Sequence, residues 1–392
     1  MLNSILTPVD VFAIGIFCLY YIIKLHIFAR IIVFSIKKCD FFANLCYNAV
    51  MDYSIEEQRV LCALPDLLLP WYAKNKRDLP WRADTDPYRI LVSEIMLQQT
   101  RVEAVKEHYV RFLASLPTVN ALASCPKEKL MKLWEGLGYY SRALNLQKAA
   151  QQIVAAGGFP KTYEGLLSLA GVGTYTAGAV ASIAFSIPVP AVDGNVVRVL
   201  SRLFGNRENQ DVLRKYYTDR LIGVYPKENC GDFTQSLMEL GATVCLPRSP
   251  KCILCPLFAH CLTKSDALPM RKPKYERKKV DLTVFVLLTP KGVALTTRDN
   301  GVLKGMKQFP NEERFLSVQE LTERLNSFGF ENFTVLSERP HRHIFTHLEW
   351  NMKAFFIKTN DAPLSFSYYP AETIGKEIAL PSAFRWCVEF FD

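Results

Sequence analysis

Long uninterrupted apolar runs are almost missing from this 392-residue chain. Val9 to Tyr21 is nearly all apolar, but Lys24, His26 and Arg30 cut it short of the about 20 residues that a membrane-spanning helix needs. Ile5 to Ile23 approaches that length only with Asp10 inside it. A small-residue cleavage site is missing as well, which argues against a secretory signal. For residues 1–50, a membrane tether is the lesser alternative to translated upstream sequence, with Met51 as the true start ahead of an ordinary amphipathic segment. A disulfide framework is also lacking. The 11 cysteines are odd in number and scattered apart from one tight group, the pattern of a reducing compartment with a metal site. Acidic excess is absent too, and the net charge of +9 fits a protein that binds a polyanion. A chain this long should hold more than one domain, because single cores rarely exceed about 250–300 residues.

What is present centres on Leu169 to Asn195, LAGVGTYTAGAVASIAFSIPVPAVDGN. Gly171 and Gly173 mark a tight turn and remove Cβ atoms, so that another backbone can come close. The amides after the turn sit at a predicted helix N-terminus, where a phosphate oxygen can be held. Small residues from Thr176 to Ser182 predict a helix that packs tightly. Past the break at Pro188 and Pro190 stands a lone carboxylate, Asp193, in a loop.

Upstream, the apolar spacing predicts helix over 55–75 with a break at Pro65. A second helix from Pro87 carries Glu94 among Ile90, Leu91, Ile95, Met96 and Leu97. Exposure is the commoner fate of such a glutamate; burial would raise its pKa and suit a general acid. Gln98 and Gln99 end that stretch, and Gly136 and Gly138 mark a turn before Tyr139 and Tyr140. Residues 206–244 are predicted helical. Cys245, Cys252, Cys255 and Cys261 form C-x6-C-x2-C-x5-C. Four thiolates suit either zinc or an iron–sulfur cube, although paired zinc knuckles would bring a second CxxC. The basic run Arg271 to Lys279 reads as a linker. Beyond it, strands are predicted at 282–289, 333–336 and 351–357, with a helix at 318–325. The histidines of HRHIFTHLEW, His341 to Trp350, have no acidic or cysteine partner in zinc spacing.

The Leu-Pro-Trp-Arg, Asp-Pro-Tyr, Ser-Glu-x-Met-Leu-Gln-Gln-Thr and Gly-Leu-Gly-Tyr-Tyr stretches, with the hairpin, Asp193 and the cysteine spacing, resemble the MutY-type adenine DNA glycosylases of the endonuclease III superfamily. The resemblance implies a multi-domain fold. An all-α helix-hairpin-helix core over 51–264, with its hairpin at about 163–185 and an iron–sulfur loop at 245–261, would precede a linker at 265–280. An α+β Nudix-like domain over 281–392 would follow. Nudix hydrolysis itself is not expected, because paired acidic residues are missing after Gly305.

By the same resemblance, Glu94 protonates a flipped adenine and Asp193 stabilises the sugar cation. Gln98 and Gln99 lie at the base stack, with Gln99 entering it, and Tyr139 wedges beside the lesion. Gly171 and Gly173 grip the DNA backbone. Arg77, Leu79, Trp81 and Arg82 border the base pocket, and Gln235 reads the adenine beside Thr234, where the family has Asn. Phe345, Thr346 and His347 touch 8-oxoguanine. The four cysteines would hold a 4Fe–4S cluster. Tyr175 stands where lyase relatives carry a Schiff-base lysine, so hydrolysis without a covalent amine step is implied. The expected substrate is duplex DNA with adenine opposite 8-oxoguanine or guanine, handled by a monomer in a bacterial cytoplasm at the nucleoid. Rivals are an oxidised-pyrimidine glycosylase and lyase, and a non-cutting iron–sulfur DNA-binding protein.

Overall fold

A computed structural model describes residues 40–269 and 276–391, with side chains from Ile55 onward. The readings made for the first 39 residues, and for most of the basic linker run, fall outside those residues. The chain divides into two units at Leu64 and Pro65. Among the described residues no helix is long and apolar enough to cross a membrane.

The break expected at Pro65 does not occur. Helix α1 (Asp40–Asn75) runs through Pro65 and Pro70. Each proline forgoes one helical donor, and burial of Leu68 and Tyr72 offsets that loss. A 3-10 turn at Pro80–Arg82 leads to α2 (Pro87–Leu97), whose N-terminus is capped by the Asp86 carboxylate accepting from the Arg89 amide at 2.9 Å. Helices α3 (Val102–Ser115), α4 (Val119–Ala123), α5 (Lys127–Leu133) and α6 (Ser141–Ala155) follow. They enclose an apolar cluster around Phe112, Trp134, Leu146 and Ile153. Tyr140 belongs to this cluster, and burial pushes its phenol up to about 12.

The hairpin consists of α7 (Tyr163–Leu167), a turn, and α8 (Thr174–Phe185). Nearly all of α8 from Thr176 to Ser182 is buried, which its small side chains allow. A Cβ at Gly178 would lie 2.2 Å from the Pro190 carbonyl oxygen, so only glycine lets the segment before Asp193 lie against this helix. Then come α9 (Gly194–Leu203), α10 (Gln210–Leu221) and α11 (Cys230–Thr243). The stretch 206–244, predicted helical, thus forms two helices parted where Gly223 and Pro226 stand.

Strands β1 (Lys278–Thr289), β2 (Gly292–Thr297), β3 (Lys307–Gln308), β4 (Asn311–Glu312), β5 (Phe333–Ile344), β6 (Leu348–Thr359) and β7 (Ser367–Tyr369) form one sheet, with α12 (Val318–Ser327) between β4 and β5 and the short α13 (Arg385–Val388) after β7. The order is β3-β2-β1-β6-β5, with β4 on β1 and β7 on β2; β1 and β6 are parallel and the other pairs antiparallel. The run LTVFVLLT is apolar at every other position on both faces because both are covered. Leu282, Val284 and Val286 meet Trp350 and Phe384 on one side, while Phe285 and Leu287 meet Leu321 and Leu325 of α12 on the other. The molecule is thus a helical core followed by an α+β region.

Candidate active site

Glu94 is buried on α2, at 6% exposure, so the rarer of its two fates is the one realised. The hydroxyl of Tyr175, one residue into α8, donates to Glu94 Oε2 at 2.6 Å. Burial pushes the Glu94 carboxyl up to about 7. The Tyr175 hydrogen bond and the Arg82 charge pull it down, and the Asp193 charge adds to the rise. Tyr175 itself is held well above its ordinary value by burial and by the fields of Glu94 and Asp193, so it stays a donor. The three groups therefore share one electrostatic environment.

Asp193 caps α9. Its Oδ1 accepts from the Val196 amide at 2.8 Å and its Oδ2 from the Asn195 side-chain amide at 2.7 Å. Burial raises its pKa, while these bonds and the Arg198 charge oppose the rise. Arg198 donates to Asn195 Oδ1 and to the carbonyls of Gly241 and Cys245, each at 2.8 Å, tying the cap to the cysteine segment. The hydroxyl of Tyr225 accepts from the Ala191 amide at 3.2 Å and from Thr234 at 3.1 Å. Thr234 lies 2.8 Å from Ser182 Oγ as well, so its hydroxyl is consumed in a buried network, while Gln235 beside it stays half-exposed.

Arg77 and Arg82 are brought together by a residue that the sequence reading passed over. Arg77 makes a two-pronged pair with Glu239 of α11, at 2.6 and 2.9 Å, and Arg82 adds a bond at 2.8 Å. The Glu239 side chain is fully buried; burial alone would raise its pKa, but the two guanidinium groups hold it below the ordinary value. Glu239 sits between Leu237 and Leu240, the same carboxylate-in-an-apolar-stretch signal that singled out Glu94. Leu79 and Trp81 are in the core, at 3% and 8% exposure, with Trp81 edge-on to Tyr109 at 5.6 Å.

Gln98 turns inward, 3.3 Å from Thr176 Oγ1, whereas Gln99 is exposed with φ of 57°. Tyr139 is likewise left-handed, at φ 46°, and 43% exposed. Arg142, also missed, holds both turns. Its guanidinium donates to the carbonyls of Ile95, Met96, Gln98, Leu137 and Gly138 and to Thr100 Oγ1. No sequence signal separates it from a solvated helix-start arginine. Tyr139 shares a 2.6 Å hydrogen bond with Thr346 Oγ1, in the hairpin between β5 and β6. Phe345 packs on Trp350 at 4.8 Å, and His347 is exposed.

Gly171 is left-handed at φ 74°, and Gly173 caps α8 in extended conformation with open space where its Cβ would be. Cys245, Cys252, Cys255 and Cys261 line one cavity, whose wall is otherwise mostly apolar but includes Arg202 and Lys264. Burial pushes the Cys255 thiol up to about 11, and the other three thiols lie within its field. Among the described residues no three Cys, His, Asp or Glu side chains converge as a single-ion site.

A hairpin whose second helix ends in a Pro break and a capping aspartate defines a helix-hairpin-helix base-excision fold. The profile of the HhH-GPD superfamily base excision DNA repair proteins matches residues 92–219. The chain is 31% identical over 302 residues to the adenine DNA glycosylase of Buchnera aphidicola subsp. Baizongia pistaciae, spanning 75% of this chain and 85% of that one. It belongs to the adenine DNA glycosylase family. To the rat adenine DNA glycosylase it is 44% identical over 207 residues, which is 50% of this chain and 40% of the rat protein. The match thus spans under half the length of that relative. A solved thermostable thymine-DNA glycosylase superposes with a TM-score of 0.48 at 30% identity, over 54% of this chain and 98% of that one.

Proposed function

We propose that the chain releases adenine from duplex DNA in which it faces 8-oxoguanine or guanine, by hydrolysis of the N-glycosidic bond. The observation that carries this reading is the buried Glu94 carboxyl, bonded by Tyr175 at 2.6 Å and lying within the field of a second carboxylate, Asp193. Cleaving such a bond creates an oxocarbenium-like sugar and a departing base, which two carboxyl groups in different environments can serve. The adenine rotates out of the duplex to reach Glu94. The transferable proton sits on Glu94 Oε1, because Oε2 accepts from Tyr175. It passes to N7 of the base, the C1′–N9 electron pair leaves with adenine, and Asp193 stabilises the sugar cation. Water then bonds to C1′, and the proton it loses restores the Glu94 acid left ionised by the first step. With Tyr175 in place, this helix start offers no amine for a Schiff base.

Duplex DNA is the partner, bound by a monomer in the cytoplasm, at the nucleoid. The open space at Gly173 admits a phosphate to the α8 amides. Gln99, exposed on its left-handed turn, enters the base stack with Gln98 behind it, and Gln235 reads the adenine edge. Tyr139, Thr346, His347 and Phe345 meet the lesion opposite. The four cysteines would hold a 4Fe–4S cluster: they line one cavity, and four thiolates in C-x6-C-x2-C-x5-C spacing suit that group. When bound, the cluster would staple the 245–261 loop, and Arg202, donating to Cys245 Sγ at 3.4 Å, would stabilise a thiolate there.

The test is single-turnover incubation with duplexes carrying adenine opposite 8-oxoguanine and opposite guanine. Free adenine and an alkali-sensitive site are expected from both, faster from the first. No adenine from either would overturn the reading.

A further inference from the structure

Glu135 has no part in the chemistry above, yet it is a charged side chain at 6% exposure on a turn. The turn is short. Glu135 begins it just past α5, and Tyr139 ends it. Both ends receive the α+β region. At the far end, Thr346 bonds Tyr139. At the near end, the Glu135 carboxylate accepts from the Leu380 amide at 3.2 Å and pairs with Arg385 at 3.2 Å. Its other oxygen pairs with Lys132 at 2.5 Å, and that ammonium also donates to the Gly375 carbonyl. Around these bonds, Met306 and Ala379 of the α+β region are buried in the apolar cluster of the helical core.

A buried carboxylate is retained only when its lone pairs are matched, and here most of its partners belong to the 375–385 segment. We propose that Glu135 is a positioning residue for lesion discrimination, clamping the α+β region to the turn that presents Tyr139 so that Thr346 reaches its hydroxyl. The inference rests on the glycosylase reading for its activity consequence, but the clamp itself does not. Without the carboxylate, Lys132 and Arg385 lose their shared counter-charge and the Leu380 amide its acceptor, and the two ends of the turn are no longer held in register. Glu94, Tyr175 and Asp193 make no contact with the clamp, so adenine chemistry should survive its loss.

The experiment compares Glu135→Ala, Glu135→Gln and the half-exposed Arg385→Ala with the full-length parent. In each, the ratio of adenine release opposite 8-oxoguanine to release opposite guanine is measured, and hydrogen exchange is followed at the Leu380 amide. For Glu135→Ala the ratio should fall about tenfold, within the usual range for coupling between two sites, with the rate opposite guanine kept and the Leu380 amide exchanging faster. Glu135→Gln keeps an acceptor for that amide, so it should protect Leu380 while lowering the ratio less. An unchanged ratio and unchanged exchange in Glu135→Ala would overturn the proposal. Equal loss on both duplexes would also overturn it, since that is what simple misfolding does. Should Glu135→Ala not fold, Arg385→Ala must lower the ratio on its own. If the parent releases no adenine at all, the glycosylase reading falls, and exchange at Leu380 alone decides whether Glu135 is the clamp.

Discussion

The Tyr175 hydroxyl stands 2.6 Å from Glu94 Oε2, donor to acceptor, with the carboxyl buried and the tyrosine half-buried. That bond favours the ionised carboxyl, against the larger effect of burial. In Tyr175→Phe burial acts unopposed by it, and the Glu94 pKa rises above about 7. The alkaline limb of the single-turnover pH profile, which follows loss of the Glu94 proton, should move to higher pH. A limb that stays in place would separate Tyr175 from the acid.

Glu94→Gln removes the proton donor and should cut adenine release by about 10²–10⁴-fold. The same change has a stability signature of definite sign. The folded pKa of about 7 lies above the ordinary 4.5, so the neutral carboxyl's contribution is fully present below pH 4.5 and is lost as pH rises to about 7. The loss is of order 3 kcal/mol, at about 1.4 kcal/mol per pKa unit. Thermal melts should therefore show Glu94→Gln above the parent at pH 8, with the gap closing towards pH 5. A gap independent of pH would mean that the carboxyl is not buried as a neutral acid.

Glu239→Ala should destabilise more than any single change at the carboxylate pair, by about 3–5 kcal/mol, because it strands the Arg77 and Arg82 guanidinium groups around an empty site. Equilibrium urea unfolding measures this. The variant also loosens Arg82, whose field holds the Glu94 pKa down, so the acid should titrate higher in whatever folds.

Which parts of the site were legible follows from how local each signal is. Asp193 could be placed because a Pro break, a carboxylate and an Asp-Gly-Asn run are contiguous, and its capping role needs only Val196, three residues on. The helix around Glu94 was readable from periodicity, but its burial was not, since α8 and its Tyr175 decide it. Glu239 meets Arg77 across 162 residues, and no window along the chain contains both. Strand β5 runs to Ile344, well past the expected 336, because SERPHRH is polar enough to pass for loop; at the sheet edge Glu338, Arg339, Pro340 and Arg342 are exposed and the strand needs no apolar alternation. The turn glycines were read as one device, and the structure splits them.

That split gives a paired prediction at the hairpin. Gly171 is left-handed at φ 74°, and a Cβ there would come within 2.6 Å of the Asn145 Cβ. Gly171→Ala should cost about 1–3 kcal/mol from backbone strain and overpacking together. Gly173 has φ of −95° with nothing within 4 Å of an added Cβ, so the fold does not require glycine there. Gly173→Ala should cost under about 1 kcal/mol, the scale of an N-cap preference. Its methyl would instead occupy the approach to the α8 amides. Fluorescence anisotropy at fixed salt should then find weaker duplex binding with an unchanged melting temperature for Gly173→Ala. For Gly171→Ala the melting temperature should be the quantity that falls. If Gly173→Ala binds duplex as tightly as the parent, the phosphate does not sit at this helix start, and the grip on DNA must come from elsewhere on the basic surface.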